Sequence, residues 1–389
     1  MLTGINSNVI YLGVVSFFND AASEMIYPLL PLFISTVLGA GPAAIGIIEG
    51  VAESTAAIVK LASGFISDKI KQRKYWVTSG YFLSNAARPL IGVATAWTSV
   101  LALRFIDRIG KGVRTSARDA LIADSTAAQF RGKAFGFHRA ADHAGAVAGP
   151  LLATLLLMLF QLDLKTVFVL SVIPGMLTVA IVLFAVKDNT VKSEPEVEQP
   201  LNIRMAWNGM PNSLRRFVFL LFIFTLGNST DAFLLLKAQR LGVPIALIPL
   251  LWEALHVVKM VSSIPGGIAS DRLGRKGVIA AGWTVYAITY AGFAVADSAW
   301  HVWTLFAFYG LYFGLCEGAE KAMIADLAPE HLRGSAFGLY HLMIAAGALP
   351  ASLLFGWIWQ VYGDVYAFGL GALLALAATL LLLPLSLKR

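Results

Sequence analysis

Seven ionisable residues recur along one apolar stretch between Trp97 and Ala123: Arg104, Asp107, Arg108, Lys111, Arg114, Arg118 and Asp119. At about 100° per residue they fall within about 140° of a helix surface, with Phe105, Ile106, Ile109 and Val113 opposite. A charge facing lipid costs several kcal/mol, so this face must look into water, protein or a substrate path. The chemistry that such groups support is ion binding and proton exchange. Asp20 and Glu24 lie one helical turn apart with Tyr27 on the same side. Carboxylates that close do not ionise independently, which makes Asp20 and Glu24 the leading proton acceptors. A desolvated carboxyl holds its proton and a nearby arginine loosens it, and Arg108 is the candidate for that arginine. Its bland alternative is a salt bridge to Asp20, Glu24 or Asp107 that ties two helices together. Asp142, three residues from Arg139, reads either as a coupling group or as the partner of that arginine.

The remaining candidates would line a polar path: Tyr27, Glu53, Arg104, Lys111, Arg139, His143, Asp231 and Glu253. Glu49 and Glu53 sit nearer the outer end of their helix and also fit a solvated mouth. His138 and His143 titrate at useful pH, although interior histidines often serve packing. One cysteine, Cys316, excludes an intrachain disulfide and a cysteine-based metal cage. No His-x-x-x-His spacing, nucleophile–base pairing or Gly-x-x-x-x-Gly-Lys-Ser/Thr loop is present. No enzyme, metal or nucleotide cofactor is therefore expected.

The elements that must carry these residues follow from composition. The 389 residues are 58% hydrophobic and 14% charged, too apolar for a soluble domain. Apolar stretches of about 20 residues recur, each long enough to cross the hydrocarbon layer. The pattern of an outer-membrane barrel is missing, so the expected fold is an all-α integral membrane protein. Twelve spans are read, near 9–36, 43–67, 75–95, 98–122, 132–160, 165–187, 216–240, 244–270, 276–296, 299–326, 332–361 and 365–386. The start of the chain lacks a basic region and a cleavage site, so no cleaved signal peptide is expected. Basic residues cluster in alternate connections: Lys69, Lys71, Arg73 and Lys74; Arg131 and Lys133; Arg204, Arg215 and Arg216; Arg272, Arg275 and Lys276; Lys388 and Arg389. That bias places both termini in the cytoplasm and implies the inner membrane. It also accounts for the net charge of +7 without nucleic acid.

The chain repeats itself. Gly64-Phe-Ile-Ser-Asp68-Lys69 matches Gly267-Ile-Ala-Ser-Asp271-Arg272 at an offset of 203. Ile122-Ala-Asp124 matches Ile324-Ala-Asp326, and Arg131-Gly-Lys-Ala-Phe-Gly136 matches Arg333-Gly-Ser-Ala-Phe-Gly338, both at 202. The expected division is two pseudo-symmetric six-helix bundles, 1–187 and 216–389, joined by a polar cytoplasmic linker at 188–215. Parallel repeats of this kind imply a cavity at their interface.

This arrangement resembles the Major Facilitator Superfamily along the whole chain. The family's cytoplasmic loop after the second span of each half is intact at Gly267, Asp271, Arg272, Gly274, Arg275 and Lys276. The first copy keeps Gly64, Asp68 and Lys69, but Lys71 replaces the next glycine. The resemblance implies a gating role for these residues. Gly136, Gly145, Gly149 and Pro150 look like the antiporter motif of the drug–proton exchangers, with Ala153-Thr154 where that motif closes on two glycines. Arg108-Ile-Gly-Lys111-Gly112 resembles the family's proton-coupling stretch, with lysine in place of its usual glutamine. The resemblance implies a monomeric secondary transporter working by alternating access on a small molecule, driven by protons. Proton-coupled export of a drug-like molecule or metabolite is the expected function. Uptake of an organic anion with protons is its rival, drawn from the basic stripe, and a non-transporting membrane sensor is the reading from another class.

Overall fold

The computed structural model describes residues 6–69, 73–126, 131–188, 207, 209–328 and 333–384, all helix, turn or loop. The linker at 189–206 lies outside the described residues, as do Lys388 and Arg389. Among the described residues the long helices form twelve runs. In the first half these are α1 (Ser7–Val37), α2 (Pro42–Lys69), α3 (Arg73–Leu90), α4 (Trp97–Asp124), α5 (Arg131–Met158) and α6 (Leu164–Phe184). In the second they are α7 (Asn212–Arg240), α8 (Ile248–Leu273), α9 (Arg275–Val295), α10 (Ala299–Leu327), α11 (Arg333–Tyr362) and α12 (Asp364–Leu382).

Among the described residues, nine helices are long and apolar enough to cross a membrane. The runs that miss this mark are α3 and α4, which carry arginines, and α10, where Trp, Tyr and His dilute the aliphatic residues. Large apolar side chains stand outward, among them Phe184 at 88%, Leu159 at 70% and Ile288 at 64% exposure. A water-soluble protein does not leave so many such residues uncovered, whereas a membrane-spanning one turns them outward. This is a multi-pass membrane protein.

Local signals set the helix ends. The Asn6 side chain accepts the Asn8 amide at 3.0 Å and starts α1. Asp163 does the same for α6 through the Thr166 amide at 2.9 Å. Hydrogen bonds from Thr166 hold the exposed Asp163 carboxyl below the ordinary carboxylate range. Pro28 and Pro31 break the regular winding of α1, which passes through a 3₁₀ turn and ends in a wide π turn at Phe33–Val37. Run α7 was expected to be continuous, but it stops at Gly227 and resumes at Ala232. Gly274, with φ of +90°, makes the abrupt turn between α8 and α9, a conformation natural to glycine.

The chain divides into two compact units. Unit 1 holds Met1–Ala40, Val51–Glu194 and Ile245–Leu250; unit 2 holds Gly41–Gly50, Pro195–Pro244 and Leu251–Arg389. Inside unit 1, α1 packs on α5 and α6, and α3 packs on α4 and α6. Inside unit 2 the corresponding pairs recur, α7 with α11 and α12, and α9 with α10 and α12. Glycines fix the register. A Cβ on Gly80 would strike the Gly110 carbonyl and Arg114, both within 2.7 Å. A Cβ on Gly282 would strike Cys316 at 2.2 Å and approach the Tyr312 carbonyl at 3.6 Å. Those three positions are the first three, each 202 residues on, so one backbone crossing has been built twice.

Candidate functional site

The close crossing of α3 and α4 at Gly80 and Gly110 brings two charged helix faces together. Ser84 donates to the Asp107 carbonyl at 2.8 Å. One turn further along α3, Arg88 reaches the Asp107 carboxylate, Nε to Oδ1 at 3.0 Å. Arg104 approaches the other oxygen at 3.4 Å. Asp107 is 1% exposed, and two guanidinium groups meet it there. In so dry a place a lone carboxylate would cost several kcal/mol, and the paired arginines offset that.

Arg88 does more than neutralise Asp107. Its Nη1 donates to the Asn19 side-chain oxygen at 3.1 Å, to the Asn19 carbonyl at 3.2 Å and to Asn85 Oδ1 at 3.0 Å. Asn19 in turn donates to Asp20 Oδ1 at 2.8 Å. An uncharged amide thus connects the arginine cluster to the half-buried carboxylate of α1. Glu24 and Tyr27 are also half-buried on α1, and the Arg104 guanidinium lies 5.8 Å from the Tyr27 ring centre.

Arg108 turns to α2. Its Nη2 meets Glu53 Oε1 at 3.2 Å, joining a buried cation to a carboxylate whose side chain is 49% exposed. Glu53 is thus a partner of Arg108 beyond the expected Asp20, Glu24 and Asp107. The reason is the α2–α4 crossing at Gly112, where a Cβ would meet Val59 and Lys60 within 3.0 Å. Arg114 lies over the Tyr81 ring at 4.5 Å, and its Nε and Nη1 have no hydrogen-bond partner. Lys111 is exposed between them. Cations outnumber carboxylates in this group: Arg88, Arg104, Arg108, Lys111 and Arg114 against Asp20, Glu53 and Asp107.

The glycine motif of α5 packs on the segment of α1 that carries the paired acids. A Cβ on Gly145 would lie 2.2 Å from the Phe17 carbonyl, and one on Gly149 would lie 2.6 Å from the Ala21 carbonyl and 2.7 Å from the Met25 amide. These are backbone atoms, which cannot move aside as a side chain can. Asp142, one face over, takes a hydrogen bond from Ser16 of α1 and has His138 at 3.6 Å. The Gly136 and Arg139 side positions lie outside the described ones, so a bond from Arg139 to Asp142 stays an expectation; His143 is exposed.

The other expected residues fall in unit 2 or at helix ends. Tyr309 donates to Asp231 at 2.5 Å, and Glu253 is buried. Arg275 bonds Asp271 and reaches Asp326 at 3.2 Å, so the second copy of the repeated loop is tied to the repeated Ile-Ala-Asp block. Arg272 is exposed, and a Cβ on Gly267 would meet open space. The side positions of Gly64, Asp68 and Lys69 lie outside the described ones. Among the described residues no cluster of His, Cys, Asp or Glu could hold a metal ion. Sequence reasoning missed Arg88, Asn19 and Asn85. An arginine inside an apolar run, at Ala87-Arg88-Pro89, was the available signal.

Comparison with known proteins places this geometry. The Major Facilitator Superfamily model matches residues 12–258, and the Sugar (and other) transporter model matches residues 233–387. An uncharacterized MFS-type transporter of Methanocaldococcus jannaschii is 35% identical, covering 97% of this chain and 95% of its own. The multidrug resistance protein MdtH of Yersinia enterocolitica is 30% identical over 31% of this chain and 30% of its own. Among solved structures, the nucleoside transporter NupG superposes with a TM-score of 0.82 at 13% identity, covering 97% of this chain and 99% of that one. That likeness concerns the fold alone.

Proposed function

The chain belongs to the Major Facilitator Superfamily, is a transporter and not an enzyme, and on that premise we propose that it is a proton-coupled antiporter exporting a small drug-like molecule or metabolite. The observation that carries this reading is the backbone contact of Gly145 and Gly149 with α1 around Asp20 and Glu24. The motif that resembles the exchangers' own is thus wedged against the proposed proton acceptors. The partial similarity to MdtH points the same way.

In this mechanism the transporter alternates between outward and inward access. A proton enters on Asp20 or Glu24, and substrate and proton compete for one ionic environment. Asn19 transmits the state of Asp20 to Arg88 and Asp107, and Glu53 answers to Arg108. The membrane potential supplies about 2.3 kcal/mol per charge per 100 mV. The proposed setting is the inner membrane with both termini cytoplasmic, the protein working as a monomer with lipid around it and the proton gradient as its energy source.

The cation excess around Arg114 favours a second reading, uptake of an organic anion together with protons. Proteoliposomes holding a pH-sensitive dye, placed under an imposed pH gradient, separate the two. Ethidium-induced proton efflux supports exchange; phosphate or citrate entering together with protons supports symport. Neither response, in a folded protein, overturns both in favour of the sensor. Within exchange, Asp20→Asn or Glu24→Gln weakens gradient-driven flux and spares counterflow. Normal gradient-driven flux in both single variants and in the double variant removes α1 from the coupling.

A further inference from the structure

Glu320, on α10 of unit 2, is a buried carboxylate that the mechanism above does not use. It is 6% exposed. Trp283 of α9 donates its indole N–H to Oε1 at 2.9 Å, and the Tyr340 hydroxyl of α11 meets Oε2 at 3.2 Å. Trp283 is itself fixed by stacking on Phe224 of α7, with ring centres 4.6 Å apart. The titratable groups around the carboxyl are Tyr312, Cys316, Glu317 and Lys321 on its own helix and Tyr340 opposite. The only cation of that set, Lys321, is held by Glu317 at 3.0 Å. Among the described residues no ion pair reaches Glu320. Asp107, by contrast, is paired with two arginines.

We infer that Glu320 binds and releases a proton at Oε2, the oxygen that meets the Tyr340 hydroxyl, while the Trp283 indole holds Oε1. The chemistry of the two neighbours sorts the oxygens. An indole N–H only donates, so Oε1 remains an acceptor in either state. A phenol hydroxyl both donates and accepts. Tyr340 donates to the carboxylate, and after a quarter to half turn of its O–H it accepts from the neutral acid. Burial among rings favours the acid and the two donated hydrogen bonds favour the anion, so each form has a structural home. The proton comes from water and returns to it, and no other bond changes. If the exchange reading holds, Glu320 is a second proton carrier, placed in the unit opposite to Asp20 and Glu24.

The test needs no substrate. The full chain in detergent is titrated with pH while infrared absorption reports the carbonyl stretch of buried neutral carboxyl groups. A pH-dependent band is expected that disappears in Glu320→Gln. Trp283→Phe removes a donor that serves the anion best, so the midpoint of the band moves to higher pH, by about one pH unit or more. Tyr340→Phe moves it less, because the hydroxyl serves both forms. A band unchanged in Glu320→Gln overturns the inference, and so does a midpoint indifferent to both aromatic variants. Because the readout is independent of transport, flux that ignores the pH gradient would remove the exchange reading and leave this site standing.

Discussion

At Asp107 unit 1 buries a carboxylate between Arg88 and Arg104; 202 residues on, unit 2 has Tyr309, with Tyr290 where Arg88 stands and Phe306 where Arg104 stands. Tyr290 and Tyr309 meet ring to ring, their centres 6.3 Å apart. Lys111 is answered by Phe313 and Arg114 by Cys316. The backbones at these places are alike, since Gly80 and Gly282 make the same helix approach. The fillings are not. At these positions unit 1 is held by charge pairs, and each member depends on the others. There unit 2 is held by rings such as Phe224, Trp283, Tyr286, Tyr290 and Tyr312, whose contribution is spread over area. A duplicated scaffold has kept its crossings and exchanged its interior.

The largest expected effect sits at that pair of positions. Asp107→Asn removes the countercharge shared by two buried guanidinium groups and should cost about 3–5 kcal/mol. Tyr309→Phe removes one hydrogen bond to Asp231 and should cost about 1.5–3 kcal/mol. Thermal unfolding in detergent reads both, and equal losses would erase the distinction between an ionic and an aromatic interior. The next effect compares glycines. Gly145→Val meets the Phe17 backbone, whereas its counterpart Gly347→Val meets the Thr225 side chain at 2.8 Å. The first should lose about 3 kcal/mol and the second about 1. Gly149→Val should also slow transport by blocking the α1–α5 approach, and wild-type rates in that variant would remove the motif's proposed role.

Smaller effects sharpen the comparison within the repeated loop. Gly274→Ala, at φ +90°, should cost about 1–2 kcal/mol. Gly267→Ala, which faces open space, should stay within about 0.5 kcal/mol. The reverse order in unfolding temperature would mean that Gly267, not the turn, is the constrained position. Arg275→Ala loses pairs to partly exposed carboxylates and should cost less than about 1 kcal/mol.

The helices, their order and the duplication were legible in the sequence because hydropathy and repeated motifs report them; which helices pack together was not. The polar face of α4 was legible for the same reason. Its wiring was not. Arg108 goes to Glu53 because Gly112 draws α2 close, a fact of three-dimensional packing that helical spacing does not encode. Arg88 was overlooked because its neighbours are apolar and its partners lie 19 and 69 residues away. The interruption of α7 at Asn228–Asp231 carries no proline to announce it. Glu320 stands in the sequence beside Glu317 and Lys321 with nothing to distinguish it; only the indole and the phenol around it set it apart.

Asn19 offers the same guanidinium both its amide oxygen and its own main-chain carbonyl. Such a double grip tolerates neither sliding nor rolling: a one-residue slip of α1 along α3 would cost Arg88 both acceptors at once. Whatever rearrangement the transport cycle demands, these three segments α1, α3 and α4 should travel as a single cassette, and bending should be relegated to the unevenly wound stretch beyond Pro28.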